Sequence, residues 1–157
     1  TQHLFANETT WSGSGGGASQ YESEPSYQVL NITPQNSPNI SLNGMRGAPD
    51  LSFDANPNTG VSVYDSTRCQ GLSGWLVFGG TSVASPSLAG IVNWAGSNYT
   101  DSNTELNTIY SCYANGSSCY PVNFRDISSG NNAGSFSPQL GWDFITGVGS
   151  TLGSVDK

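Results

Sequence analysis

The sequence has little charge, and positive charge is the scarcest. Only 10% of its 157 residues are charged, with four Lys and Arg against eleven Asp and Glu, so the formal net charge is -7. So few cations do not make the basic surface that nucleic acids or anionic membranes attract. No apolar run approaches the ~20 residues that cross a bilayer. We therefore expect neither a nucleic-acid partner nor a membrane span.

Histidine and cysteine are also scarce, with one His, three Cys and no Cys-x-x-Cys pair. A zinc site would lack ligands, and His3 is poorly placed to serve as the base of a Ser-His pair. Cys112 and Cys119 are separated by a short loop, and in an oxidising compartment they can close a small disulfide ring. Cys69 leaves two possibilities open, a buried free thiol or a bond to another chain.

The sequence is rich in Gly, Ser, Thr and Asn. Its length is sufficient for one domain with a hydrophobic core. Five triplets fit the N-glycosylation pattern, which favours the secretory route, and we expect at least two to carry glycans. The predicted location is extracellular, or an acidic vacuolar or lysosomal compartment. With no signal peptide visible, a secreted form would be a processed product. The triplets begin at Asn7, Asn31, Asn39, Asn98 and Asn115.

The most informative stretch is 79–95, which opens with Gly-Gly-Thr-Ser. Two glycines allow a sharp turn, and an apolar, Ala-rich run with helical spacing follows. Pro86 falls within the first turn, where its missing N–H costs nothing. The pattern predicts a helix that starts between Thr81 and Ser85 and buries one face. The apolar strand expected at 75–78 precedes it, and this order is the step expected in a parallel, helix-covered sheet.

Ser82 lies where that helix begins. A serine there has free backbone donors around it and the positive end of the helix dipole beneath it, which can stabilise an alkoxide or a tetrahedral oxyanion. Taken alone, Gly-Thr-Ser before a helix is typical of an N-cap formed by Ser82 or Thr81. The longer pattern, Gly-Gly-Thr-Ser-x-x-x-Pro followed by small residues, resembles the nucleophile segment of the sedolisins, the acid-acting serine-carboxyl peptidases of the subtilisin-like clan. The resemblance implies that Ser82 is the nucleophile and that its N–H forms part of the oxyanion hole.

A glycine-rich run at 12–19 is the second block that resembles this family. Alone it is more typical of a flexible linker than of a site. Here it follows Glu-Thr-x-Trp and precedes Pro-Ser-Tyr-Gln, as the glycine-rich segment of sedolisins does. In the family an acid that serves the oxyanion hole lies upstream of that segment. The resemblance therefore implies that this chain begins after that acid.

The third block, 46–60, is similar to the family's Arg-Gly-x-Pro-Asp segment, in which the acid and the arginine are structural. Apolar residues alternate at 51, 53 and 55, an Asn-Pro-Asn-Thr-Gly turn follows, and a second strand is expected from Val61. This pattern predicts a hairpin. Asp50 and Asp54 resemble a paired-carboxylate active site. We expect structural roles instead, because the alternation places both opposite the apolar side chains.

Helices are also indicated away from these blocks. The segment 101–110 predicts a second helix, capped by Thr100 or Asp101. Residues 27–30 fit either the end of a helix or an extended piece, and the Pro, Asn and Ser content after them predicts a loop as far as Asn43.

The fourth block contains Asp126 and Asp143, each in a glycine-rich loop. Two carboxylates together with freed carbonyls suit a hard cation that takes six or more oxygens, although the residues alone are typical of N-caps or Asx-turns. The pattern Asp-Ile, then Gly-Trp-Asp-x-x-Thr-Gly-x-Gly, is similar to the C-terminal calcium site of sedolisins. The resemblance implies one Ca²⁺ held by the side chains of Asp126 and Asp143 and the carbonyls of Ile127, Gln139 and Gly141. Position 139 is usually glycine in the family.

The four blocks stand in the family's order and cover nearly the whole chain. The resemblance implies an α/β fold in which residues 1–157 form the C-terminal part of one sedolisin-like peptidase domain. That part would comprise a subtilisin-like, mostly parallel sheet covered by helices, with a glycine-rich C-terminal calcium loop. The family's base Glu, supporting Asp and oxyanion-hole acid all precede the glycine-rich run. We therefore expect them on an N-terminal chain of the same precursor, which forms a heterodimer with this one.

Two functions remain open. In the first, this is the C-terminal chain of a secreted serine-carboxyl peptidase, an endopeptidase or tripeptidyl peptidase that cleaves peptides or proteins through Ser82. It would be active only with the N-terminal portion, because a serine hydroxyl needs an adjacent base. In the second, it is a catalytically silent, secreted glycoprotein binding module built on the same half-fold. We favour the peptidase, because half of such a sheet leaves an unpaired edge and an apolar face that call for a partner.

Overall fold

The computed structural model describes residues 6–69, 71–96, 99–114 and 116–153, with Cys69 described through its backbone only. Within these ranges the chain forms six strands and four helices. In order they are β1 (Gly17–Ser23), α1 (Ser26–Asn31), β2 (Met45–Ala48), β3 (Val61–Cys69), β4 (Leu72–Phe78), α2 (Thr81–Ala95), α3 (Ser102–Tyr113), α4 (Tyr120–Asn123), β5 (Phe124–Arg125) and β6 (Ser150–Thr151).

The strands of the described ranges pair antiparallel, as β1 with β2, β3 with β4, and β5 with β6. The mostly parallel sheet predicted from the sequence is therefore not found there. Parallel pairing is limited to isolated bridges, Thr10 with Gly130 and Ser52 with Ser150. The physical reason lies in the connections. A parallel pair needs a crossover of a dozen or more residues, whereas β3 and β4 are consecutive and close together in sequence.

The predicted hairpin is wrong in its pairing. A strand does begin at Val61, but its partner is β4, with Val61 opposite Phe78 and Tyr64 opposite Trp75. The turn before it is closed locally, by Thr59 N–H donating to Asn56 O at 3.0 Å. The longer register with β4 then supplies the strand partner.

The helices agree better with the sequence. α2 begins at Thr81 as predicted and ends at Gly96, whose φ of 73° is the left-handed value that stops a helix. α3 begins after Asp101, which caps it by accepting from Thr104 N–H at 2.8 Å. The ambiguous segment 27–30 is helical and belongs to α1.

The prediction that α2 buries one face is confirmed only in part. The apolar residues of that face are half-buried or buried, and they are Ala84, Leu88, Ile91, Val92 and Ala95. Of its residues only Ala84 is buried, and Trp94 is 78% exposed. The reason is that α2 lies beside a groove of about 650 Å³, lined by its own Leu88 and Val92 and, across the gap, by Leu106 of α3. The apolar side of α2 therefore borders open space.

The core forms where α1 and α3 pack against the loops that lie before β2 and after β5. Cys112 and Cys119 form the predicted disulfide at the end of α3, whereas the side chain of Cys69 lies outside the described residues. No helix of the described part combines the length and apolarity that crossing a bilayer takes. The buried cluster comprises Tyr27, Leu42, Ile109, Tyr110, Cys112, Tyr113, Phe124, Trp142 and Val148.

Candidate active site

The turn that carries Ser82 is fixed against the segment that precedes β3. A Cβ atom on Gly79 would lie 2.5 Å from the Cα of Pro57, so only glycine allows this approach. Gly80 has a φ of 97°, which disfavours any side chain. Its N–H donates to Ala55 O at 2.5 Å. Both glycines of the motif are thus explained by the backbone, and together they set where α2 begins.

Ser82 is exposed in the first turn of α2. Gly80 is the N-cap and α2 has no side-chain capping bond, so the N-cap interpretation of Ser82 and Thr81 is wrong. The N–H groups of Val83 and Ala84 donate to Gly80 O, at 2.9 and 3.3 Å. Neither the hydroxyl nor the N–H of Ser82 is hydrogen-bonded within the described part of the chain. The position therefore offers an accessible hydroxyl beside a free donor at the positive end of a helix.

No acid or imidazole among the described residues is hydrogen-bonded to the Ser82 hydroxyl. Asp54, exposed in the turn that follows 51–53, accepts from Thr59 Oγ1 at 2.7 Å and from Asn56 N–H at 3.2 Å. His3 lies outside the described residues. A base for this serine is therefore not supplied by the surrounding turn.

Asp50, the other acid of that block, belongs to a structural network. It forms an ion pair with Arg46 at 2.6 Å and accepts from the Tyr110 hydroxyl at 3.0 Å. That hydroxyl accepts in turn from Gln28 Nε2 at 2.9 Å and from Trp142 Nε1 at 3.0 Å. Burial, followed by the nearby Asp50 charge, raises the pKa of Tyr110, so the phenol stays protonated and remains a donor. The expected structural role of Asp50 agrees with these contacts.

The predicted cation site brings Asp126 and Asp143 into one region of the C-terminal loops. Asp126 Oδ2 accepts from Gly141 N–H at 2.8 Å, and Asp143 Oδ2 accepts from Gln139 N–H at 2.9 Å. Asp143 is fully buried, and its Oδ1 also accepts from Ile145 N–H at 2.8 Å. Asp143 therefore makes the Asx-type turn that the residues alone indicated, whereas Asp126 accepts from a residue far along the chain. The two carboxyl groups lie close enough to interact electrostatically.

Several oxygens of this region have no hydrogen-bond donor in the described part of the chain. Asp126 Oδ1 is buried and accepts no hydrogen bond there. The carbonyls of Ile127, Gln139 and Gly141 accept none from the described residues either. Burial raises the pKa of Asp126, and the charge of Asp143 adds to the rise while the Gly141 N–H opposes it. An unpartnered buried carboxylate oxygen beside a second carboxylate is an arrangement that a cation would stabilise.

This donor set differs from a site built from side chains alone. The described residues contain no group of three or more His, Cys, Asp or Glu side chains that could hold a metal. Any ion bound here would need the backbone carbonyls as well, which suits an oxygen-preferring cation such as Ca²⁺ and does not suit zinc.

A cavity of about 430 Å³ shares Ser52, Phe53 and Ala55 of its lining with the groove beside α2. Glu8 lines it, and Glu8 Oε2 accepts from the buried Ser150 hydroxyl at 2.6 Å and pairs with Arg125 at 3.3 Å. Sequence analysis missed these contacts, and also missed Gln28 and Tyr110. The partners are separated by 82 to 142 residues, so no local pattern marks them.

Three known proteins are similar in sequence to nearly the whole chain. No known family model matches the chain. The chain is 35% identical over 160 residues to sedolisin from Pseudomonas sp. (strain 101), a match that covers 93% of this chain and 24% of that protein. It is 31% identical to kumamolisin from Bacillus sp. (strain MN-32), over 93% of this chain and 26% of that protein. Xanthomonalisin from Xanthomonas sp. (strain T-22) is 29% identical, over 92% of this chain and 16% of that protein.

A solved structure matches as well. It is Pseudomonas sedolisin, a serine-carboxyl proteinase complexed with two molecules of pseudo-iodotyrostatin, with a TM-score of 0.71 and 32% identity. The match covers 94% of this chain but 39% of the sedolisin chain. The chain thus spans about a quarter, or less, of the length of the curated relatives that it matches.

Proposed function

We propose that this chain, which is homologous to a portion of the sedolisin family of serine-carboxyl peptidases, supplies the nucleophile of a secreted, acid-acting peptidase. The observation that carries the proposal is the state of Ser82. Its hydroxyl is exposed and unbonded among the described residues, on a turn that two glycines fix against Pro57 and Ala55. A hydroxyl that served only to cap a helix would be bonded to the backbone of its own first turn.

In the proposed reaction the Ser82 oxygen attacks the carbonyl carbon of a peptide bond. The carbonyl oxygen becomes an oxyanion, and the free N–H of Ser82 at the start of α2 is suitably placed on the chain to donate to it. The serine proton must leave as the bond forms, and a serine hydroxyl is a weak nucleophile without an adjacent base. We assign that base, a glutamate with its supporting aspartate, to an N-terminal chain of the same precursor.

The test removes one hydroxyl group from the intact protein by substitution and measures peptide hydrolysis near pH 4. Ser82→Ala is expected to lower kcat by at least about a thousandfold, because removing a nucleophile removes the covalent route. Ser87→Ala is the matched control, since among the described residues its hydroxyl bonds only to Val83 O in the same helix, at 2.8 Å. It should keep full activity.

If Ser82→Ala still hydrolyses peptides, Ser82 is not the nucleophile. An intact parent protein that binds peptides or glycans but hydrolyses nothing over the acid range would favour the other candidate, the silent binding module. The absence of any base hydrogen-bonded to Ser82 in the described residues is the observation that keeps this second candidate open.

We also propose that the C-terminal loops bind one Ca²⁺. The side chains of Asp126 and Asp143 and the carbonyls of Ile127, Gln139 and Gly141 would hold it. The unpartnered Asp126 Oδ1 and the three carbonyls without hydrogen bonds support this set. The ion would neutralise two neighbouring carboxylates and brace the loops, with no part in bond cleavage.

For glycans, the described residues favour two of the five triplets. Asn7 and Asn39 are exposed, whereas the Asn31 amide donates to Tyr27 O at 2.8 Å. Asn98 and Asn115 lie outside the described residues. Enzymatic deglycosylation in heavy-oxygen water, followed by mass spectrometry, would mark Asn7 and Asn39 if these sites carry sugar and leave Asn31 unmarked.

A further inference from the structure

We propose that the cavity of about 430 Å³ is a carbohydrate site, and that it holds the first N-acetylglucosamine of a glycan attached to Asn7. The proposal rests on the secreted, glycosylated form of the chain proposed above, and it specifies where one of the glycans lies. All three residues of the triplet Asn7-Glu8-Thr9 line the cavity, and Asn7 is exposed. A sugar joined to the Asn7 amide therefore begins at the cavity itself.

The backbone around Asn7 is held by the C-terminal loops. Thr10 N–H donates to Ser129 O at 2.9 Å, and Thr10 Oγ1 donates to Asn131 O at 2.6 Å. Glu8 Oε2 accepts from the Ser150 hydroxyl at 2.6 Å. The segment that carries the glycan is therefore fixed against loops that also contribute to the lining.

The side chains that line the cavity suit a sugar. Pockets that bind small molecules span about 300–1,000 Å³, so the volume is sufficient for one sugar ring. Such a ring has C–H groups on its faces, which pack on aromatic rings, and hydroxyl groups around its rim, which bond to polar side chains. The aromatic rings are those of Trp11 and Phe53. Polar groups come from Asp54, Asn56 and Thr59.

The charge of the lining agrees with a neutral ligand. Glu8 and Asp54 are its two carboxylates, and the described residues that line the cavity include no Lys, Arg or His. A phosphate or another anion would be repelled by this lining. Sugar hydroxyl groups donate hydrogen bonds, which carboxylate oxygens accept.

Trp11 is held in position before any ligand binds. A Cβ atom on Gly13 would lie 2.3 Å from Cζ2 of Trp11, so the indole ring lies directly against the Gly13 backbone. Ser14 N–H donates to Trp11 O at 3.0 Å and closes the turn between them. The ring is half-buried. A sugar that packs on it therefore causes little further loss of side-chain freedom.

Covalent attachment makes a weak site sufficient. One aromatic contact and a few hydrogen bonds give a free sugar little affinity, because binding costs translational and rotational freedom. A ligand on a short linker has an effective concentration in the millimolar range, which half-fills a site with a Kd of about 1 mM. A free sugar would have to reach the same concentration in solution. The Asn7 glycan is therefore favoured over a free sugar as the occupant.

The site has a consequence for the turn at 54–59. Within the described part of the chain, the hydrogen bonds of this turn run inside it or to Gly80. Asn56 and Thr59 of the turn line the cavity opposite the triplet in sequence, at residues 7–9. A sugar that contacts both segments would brace the turn against which the serine loop is packed.

Site-resolved removal of glycans from the folded, secreted protein tests the proposal. The protein is treated with an amidase that cleaves the bond between Asn and the first sugar, and peptide mass spectrometry follows each site. Release at Asn7 should be at least about tenfold slower than at the exposed Asn39, because the sugar must leave the cavity first. The two rates should be equal after denaturation. Equal rates in the folded protein, or no glycan at Asn7, would overturn the proposal.

Two tryptophan variants separate binding in the cavity from general crowding. Trp11→Ala should bring the release rate at Asn7 to within about twofold of that at Asn39, because the sugar loses its aromatic contact. Trp94→Ala is the control, since Trp94 is 78% exposed and lies outside the lining, and it should keep the slow release. Both variants must give the parent's circular dichroism. Slow release that persists in a folded Trp11→Ala would contradict a site in the cavity.

Thr9 offers a matched pair of substitutions for the bracing effect. Thr9→Ser keeps the glycosylation pattern, whereas Thr9→Ala abolishes it and leaves the Asn7 side chain unchanged. Calorimetry should show Thr9→Ala melting at least about 2 °C below Thr9→Ser. Trimming the glycan of Thr9→Ser to its first sugar should leave the melting temperature unchanged. Equal melting of the two variants would mean that the sugar does not brace the turn.

The outcomes distinguish this inference from the function on which it rests. A protein that hydrolyses peptides through Ser82 but releases the Asn7 and Asn39 glycans equally fast would overturn the carbohydrate site and leave the peptidase intact. Slow release at Asn7 from a protein without hydrolysis would support the site and contradict the peptidase.

Discussion

Tyr110 is the residue on which the polar contacts of the core converge. It is fully buried, accepts from Gln28 and Trp142, and donates to Asp50. These contacts join α1, α3, the segment that follows β2 and the C-terminal loops through a single hydroxyl. Buried donors that lose their acceptor cannot turn to water, so the group is costly to remove.

Tyr110→Phe should lower the free energy of unfolding by about 1–3 kcal/mol, because two buried donors and one carboxylate oxygen lose a partner each. Urea denaturation with fluorescence detection measures this. Tyr21→Phe is the control, since Tyr21 is 92% exposed and should change nothing. Equal midpoints for the two variants would mean that the network adds no stability.

α2 and the turn that precedes it differ in how closely they are packed against the rest of the chain. The turn is pressed against Pro57 and tied to Ala55, whereas the helix beyond Ala84 borders a groove. The glycines of this region therefore have different roles. Gly79 allows a close backbone approach, while a Cβ on Gly90 would meet no atom within 4 Å.

Gly79→Ala should destabilise the chain by about 1–3 kcal/mol, because the new methyl group overlaps the Pro57 backbone and forces the serine turn to move. Gly90→Ala is the matched control, and it should raise stability by about 0.5–1 kcal/mol through helix propensity. Thermal unfolding of both chains measures the difference. If Gly79→Ala melts at or above the parent temperature, the serine turn is not held as described.

For the molecule as a whole, stability is expected to depend on pH and calcium together through Asp126. Burial, with the Asp143 charge adding, raises the pKa of Asp126 above its ordinary value of 3.8. Without metal the folded chain therefore binds more protons than the unfolded chain between the two pKa values. Its stability falls as the pH rises through the folded-state pKa, and the penalty is complete above it.

Asp126→Asn removes that charge, so in excess chelator at pH 7 the variant should melt above the parent. The gap should close as the pH falls below the folded-state pKa. With calcium at about a hundred times Kd the parent should gain about 2.7 kcal/mol, whereas the variant should gain little. Differential scanning calorimetry with and without calcium measures the four values. If calcium raises the melting temperature of both proteins equally, Asp126 is not one of its ligands.

The sequence by itself determined the elements whose signals are local. The start of α2 after two glycines, the Asp101 cap of α3 and the strand before Ser82 each depend on a few neighbouring residues. The nearby Cys112 and Cys119 likewise lie close enough in sequence for their pairing to be foreseen. The motif around Ser82 and the Asp126 and Asp143 loops also pointed to the family before any fold was known.

Tertiary structure decided which segments pair and what covers them. The alternation of apolar residues at 51–55 predicts a strand but does not identify the strand that pairs with it. The predicted partner, 61–64, was therefore wrong, and β3 pairs with β4 instead. Helical periodicity in α2 likewise states that one face is apolar, but burial requires a second surface to meet it. Hydrogen-bond networks such as the one at Tyr110 join residues far apart in the chain, and folding alone brings such donors and acceptors within 3 Å of each other.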